Sequence, residues 1–145
     1  MKKNELLDVP QEVIKASIAL AAGFGFSLNM CGALTGASLA LGVKYGRNDL
    51  SESVGRRPSW SRAARLVEHF KSKYHTVSCA EMTWGFGDFA SASRIQRCMG
   101  IIDFTTCEVV RLLFNSDDTF TDPEKEDYFG RRELKRLKKS SCSNV

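Results

Sequence analysis

Apolar residues recur at three- and four-residue spacing along most of this chain, the period of helices buried on one side. Val13, Ala16, Ile18, Leu20 and Ala21 predict a first helix, with Asp8 as its cap and Pro10 near its first turn. That helix should end near Gly23-Phe24-Gly25-Phe26. A second helix is expected from about Cys31 to Tyr45, closed by Gly46. Gly32, Gly36 and Ala40 fall four apart on it and form one ridge, along which the first helix could approach closely. Pro58 opens a third helix with Trp60, Ala63, Ala64, Val67 and Phe70 on its apolar side. Lys71 and Lys73 sit in its last turns, where cations suit the helix dipole. Trp84-Gly85-Phe86-Gly87-Asp88-Phe89 reads as a glycine-aromatic connector. A short helix from about Ala90 to Cys98 follows, then a last core helix capped by Asp103 and carrying Phe104, Cys107, Val110, Leu113 and Phe114. The pattern predicts an all-α protein, a small bundle of four to five helices.

The pattern stops near residue 115, so the chain divides into a helical domain over 1–115 and a charged tail over 116–145. Asp117 to Asp127 holds six acids and one lysine, and Arg131 to Lys139 six bases and one acid. Adjacent blocks of opposite sign can fold back on one another. The net charge of +4 is therefore no basic face, and without interleaved aromatics the tail is not read as a nucleic-acid surface. The tail is expected to be disordered or a short helix, and dispensable for folding. No charge occurs between Lys15 and Lys44, but the glycines inside that span break it into a buried helical hairpin rather than a membrane helix. Five scattered cysteines and no signal peptide point to a reducing, cytoplasmic setting with free thiols.

Several common chemistries lack their residues. The chain has no CxxC, no phosphate-binding glycine-lysine loop and no HExxH, and His69 and His75 read as solvated helix-end residues. The cysteines remain. Cys31 lies where a helix should begin, facing unpaired backbone N–H groups and the positive dipole end, which favour thiolate over thiol. As a small buried hydrophobe it would have a purely structural role.

The segment from Met30 to Arg47, MCGALTGASLALGVKYGR, resembles the signature of the C-GCAxxG-C-C family of redox-active proteins. Gly23-Phe24-Gly25-Phe26 resembles the stretch ahead of that motif. Cys79-Ala80-Glu81-Met82-Thr83 is similar to the family's next cysteine element, and Arg97-Cys98 to its last. The resemblance runs from about Glu12 to Phe114 and implies redox or metal chemistry carried by Cys31, Cys79 and Cys98. Two mechanisms fit it. The thiolates could hold an iron–sulfur cluster or zinc. Alternatively Cys31 could exchange with a disulfide that Cys79 or Cys98 resolves, with a redox partner left open. Family members often carry a further cysteine upstream of the motif, and no cysteine precedes Cys31 here. Cys107 could complete a four-thiolate set only if the chain breaks at Met99-Gly100, since on one helix it points away from Cys98. Cys107 is otherwise expected in the core, and Cys142 is a loose tail thiol. The contrasting reading is a non-catalytic helical interaction or accessory protein with structural cysteines. A homodimer fits either reading, and whether the protein is an enzyme stays open.

Overall fold

The computed structural model describes residues 8–49 and 58–114, and every regular element in them is helical. The order is α1 (Gln11–Ser17), a 3-10 turn (Ile18–Leu20), a tight turn over Ala21–Phe24, α2 (Gly32–Tyr45), α3 (Pro58–Tyr74), α4 (Cys79–Thr83) and α5 (Ala92–Phe114). The fold is all-α. The charged tail lies outside the described residues.

Helices α2, α3 and α5 pack against one another and enclose the core. In α2, Leu34 and Leu41 are fully buried, with Ala33, Ala37 and Ala40 beside them. In α3 the inward positions are Ser59, Arg62, Leu66 and Phe70, spaced three and four apart. In α5 they are Arg94, Ile101, Thr105, Glu108, Val109, Leu112 and Leu113, again one stripe. Complete burial of Phe70, Leu34, Leu41 and Leu66 contributes roughly 1.5–3 kcal/mol for each side chain.

Four expectations need correction. The first helix ends at Ser17, buries no residue, and begins at Pro10 with no side-chain cap, so Asp8 does not cap it. Its apolar period breaks because the chain turns into the 3-10 segment and then runs left-handed: φ is positive at Ala22, Gly23, Phe24, Gly25, Phe26 and Leu28. Trp60 is 52% exposed, and Leu66 takes the core position instead. The small-residue ridge meets the first segment only at Gly32, where an added Cβ would lie 2.5 Å from the Leu20 carbonyl oxygen. Gly36 has nothing within 4 Å of where its Cβ would be. Finally, Ala92–Phe114 is one helix of 23 residues running straight through Gly100, so Asp103 caps nothing. A mid-helix glycine costs only about 1 kcal/mol against alanine, and the long buried stripe on either side outweighs it.

Candidate thiol site

The left-handed turn positions the site. A left-handed conformation costs roughly 1–2 kcal/mol at each non-glycine residue, and Ala22, Phe24, Phe26 and Leu28 all adopt it. Backbone bonds offset part of that cost: the Phe26 amide donates to Ala21 at 3.2 Å, Leu28 to Ala22 at 3.2 Å and Asn29 to Gly23 at 3.0 Å. The turn delivers Leu28–Cys31 alongside Val77–Ala80. There Met30 and Ser78 form an isolated antiparallel bridge. The Cys31 amide donates to the Val77 carbonyl at 2.9 Å, the Cys79 amide to Asn29 at 2.6 Å and the Ala80 amide to Leu28 at 3.0 Å. Cys31 and Cys79 each follow a bridged residue, so they lie on the same face in diagonal register, a relation with typical Cα separations of about 7–8 Å. Each also stands at a helix start. Cys31 is the residue before α2, and Cys79 opens α4 behind Ser78, whose hydroxyl accepts the Glu81 amide at 3.3 Å.

Gly23 underlies this arrangement. It is buried with φ +78°, and a Cβ there would sit 2.7 Å from the Cys79 Cβ and 2.8 Å from the Asn29 nitrogen. Only glycine satisfies both the backbone conformation and the close approach.

Cys98 comes from α5, in the same inward stripe as Arg94 and Ile101. It is half-buried, whereas Cys31 and Cys79 are 8% and 7% exposed. The three thiols share one electrostatic neighbourhood: charge on Cys79 or Cys98 disfavours charge on Cys31, and Cys79 does the same to Cys98. All three thiols are free. Tyr74 borders the group, its hydroxyl pKa raised mainly by burial and also by Cys31.

The Cys31 thiol does not behave as its position at a helix start suggests. The Ala33 and Leu34 amides do favour the thiolate, although Sγ completes no capping hydrogen bond. Burial is the larger influence, and it pushes the pKa above the usual thiol value, with Cys79 and Cys98 adding to the rise. Burial likewise raises Cys98, then Cys79 does, against the pull of Arg94 and Arg97. Both groups are therefore thiols at neutral pH.

The other predicted residues lie elsewhere. Cys107 is exposed, not in the core. On the continuous helix α5 its nine-residue offset from Cys98 carries it roughly 13–14 Å along the axis and to the opposite side. Cys142 is outside the described residues. Among the described residues no group of three or more His, Cys, Asp and Glu side chains is arranged to hold a metal ion, so the thiols form no assembled cage for a cluster or zinc. His69 is exposed towards the end of α3, as expected, but it is also paired: its Nδ1 lies 2.7 Å from Glu108 Oε2, and Arg111 donates to Oε1 at 3.0 Å. Sequence reasoning missed this pair, although a glutamate in the apolar stripe of α5 marks a buried charge that needs partners. It also missed Arg94, for which the i, i+4 step to Cys98 was the available signal, and named Arg97 only as part of the Arg97-Cys98 element.

No helix among the described residues is long and apolar enough to cross a membrane. No curated protein and no solved structure matches the chain. A family model does match, over residues 1–112, and its description reads "Putative redox-active protein (C_GCAxxG_C_C)". With its motif cysteine starting α2 and the later ones opening α4 and lining α5, the chain belongs to the C-GCAxxG-C-C family.

Proposed function

We propose that Cys31, Cys79 and Cys98 form a two-electron thiol–disulfide centre, with Cys98 as the thiol that meets the oxidant and Cys79 as the one that resolves it. The observation that carries this reading is the Met30–Ser78 bridge, which sets the free thiols of Cys31 and Cys79 on one face; the electrostatic influence of Cys79 and Cys98 on Cys31, and of Cys79 on Cys98, supports it. Cys98 is the most accessible of the three, and charge on Cys79 bears on both of the others. The pocket suits a product without charge. Burial disfavours the Cys31 and Cys98 thiolates, two thiolates would repel, and a disulfide removes both penalties at once.

Diagonal partners such as Cys31 and Cys79 typically stand with Cα atoms about 7–8 Å apart, just beyond the Cα range of about 4.4–6.8 Å usual for a disulfide. A bond between those two therefore requires the paired segments to move closer. An iron–sulfur cluster or zinc would also neutralise the thiolates. It would need the three sulfurs drawn together and a fourth ligand that Cys107 does not supply from the far side of α5.

The test uses the full chain, purified without oxygen, reduced, and titrated with a stoichiometric oxidant. Peptide mapping should find a disulfide within the Cys31, Cys79 and Cys98 set, two thiols consumed per chain, and Cys107 still alkylatable. Stoichiometric iron or zinc with sulfur-to-metal absorbance, or no disulfide within that set, would overturn the reading.

A further inference from the structure

Arg94 and Arg97 carry charges that no described carboxylate balances. Arg94 is only 8% exposed. Its Nη1 donates to the Gly87 carbonyl at 3.2 Å and its guanidinium stacks 4.1 Å from the Phe89 ring centre, while Nη2 is buried with no hydrogen-bond partner. An orphaned donor on a buried cation is costly, and an anion is the group that satisfies both deficits. Arg97 is half-buried. Its Nε donates to the Met82 carbonyl at 3.2 Å, it faces the Tyr74 and Phe86 rings, and neither of its Nη groups has a hydrogen-bond partner among the described residues. Both arginines act on the Cys98 sulfur, Arg94 from one helical turn before it and Arg97 from the preceding residue.

We propose that Arg97, with Arg94 behind it, forms a carboxylate-binding subsite beside Cys98, so that the thiol centre selects small disulfides bearing carboxylates. The inference rests on the thiol-exchange reading above. A small substrate is indicated because Cys31 and Cys79 are recessed and Cys98 is half-covered. A planar guanidinium fork matches a carboxylate. Arg97 makes the contact, and Arg94 adds a second buried charge and an unused donor.

The chemistry balances in two exchanges. The Cys98 thiolate, having released its proton to solvent, attacks one sulfur of the disulfide RSSR. The Cys98–SR bond forms, the S–S bond breaks, and the departing RS⁻ takes up a proton. Cys79, deprotonated in turn, attacks Cys98 Sγ and expels the second RS⁻, which is protonated. Two protein thiols become one disulfide, and RSSR is reduced to two RSH.

The test compares three small aliphatic disulfides on the reduced full chain: dithiodiglycolate (anionic), hydroxyethyl disulfide (neutral) and cystamine (cationic). Mixed-disulfide formation is followed site by site by mass spectrometry. Cys98 should react roughly tenfold faster with the anionic probe than with the neutral one at low salt, and the advantage should shrink at about 1 M salt. Exposed Cys107 in the same molecule controls for the overall positive charge. The advantage should disappear in Arg97→Gln and persist in part in Arg97→Lys, both verified as folded by circular dichroism. Should Arg94→Gln fail to fold, the wild-type probe series and the Arg97 variants still decide. Equal or slower reaction with the anionic probe, or an advantage that survives Arg97→Gln, overturns the subsite and leaves thiol exchange standing. If no probe yields either a mixed disulfide at Cys98 or a protein disulfide between Cys98 and Cys79, the exchange reading and the subsite fall together.

Discussion

Gly23 and Gly36 illustrate opposite demands on one residue type. Gly23 combines φ +78° with a Cβ position 2.7 Å from the Cys79 Cβ, so alanine there meets both backbone strain and a collision with the thiol-bearing segment. Gly23→Ala should destabilise the protein by roughly 1–3 kcal/mol, read from the denaturant midpoint. Gly36 sits inside α2 with nothing within 4 Å of its missing Cβ. Gly36→Ala should be neutral or stabilising by about 0.5–1 kcal/mol, since alanine is the better helix former. A loss of stability at Gly36 comparable with that at Gly23 would show that the ridge has a neighbour after all. At Cys31 the contest is between the amides that start α2 and burial, and burial wins. Alkylation of Cys31 by iodoacetamide at neutral pH should therefore be slower than that of an unfolded cysteine peptide. A faster rate would mean that the helix start governs the thiol.

Among the elements, α5 depends on how its far end is finished. The last carbonyls of a helix have no partner within it. Arg62 Nε donates to the Leu112 carbonyl at 3.0 Å, and the Tyr45 hydroxyl donates to the Leu113 carbonyl at 2.8 Å. The guanidinium also stacks 4.0 Å from the Tyr45 ring centre. Two side chains from α2 and α3 thus close α5 where its dipole is negative, which joins all three core helices at one point. Tyr45→Phe removes one hydrogen bond and should cost about 0.5–1.5 kcal/mol. Arg62→Met should cost more, about 1–3 kcal/mol, because it leaves a buried carbonyl without its donor. Thermal melts of the two variants check the order. Equal stability of both with the parent chain would sink this account.

For the molecule as a whole, titration sets limits at both ends of the pH scale. Glu108 has its carboxyl pKa lowered from 4.5: burial pulls it up, but hydrogen bonds from His69 and Arg111 and their charges outweigh that. The unfolded chain then binds the proton more readily, so this contribution holds above pH 4.5 and is lost as pH falls through the folded value. Cys31 and Cys98 have pKa values raised from 9.0, first by burial. The unfolded chain loses those protons more readily, so the reduced protein holds their contribution below pH 9.0 and loses it as pH rises further. Melting temperature against pH should fall on both flanks. Glu108→Gln should flatten the acid flank and Cys98→Ala the alkaline one. Flanks unchanged in these variants would assign the loss to other groups.

The sequence by itself determined the all-α class, the starts of α2 and α3, and the three cysteines of the family motif. Each of these is local: a helical period, a proline at a helix start, or a short motif. Cys79 and Cys98 could be named from the motif, but what surrounds them could not. The bridge between Met30 and Ser78 joins segments 48 residues apart in sequence and needs a left-handed turn that Gly23 and Gly25 favour but Ala22, Phe24 and Phe26 oppose. The continuity of α5 through Gly100 was equally hidden, because burial on both sides outweighs one weak residue. Tertiary structure also settled the charges. Burial reversed the shift expected at Cys31, coupled His69 to Glu108 and left Arg94 without a counter-charge beside Cys98. Desolvation depends on what covers a group, and that is a property of the packed chain rather than of its local sequence.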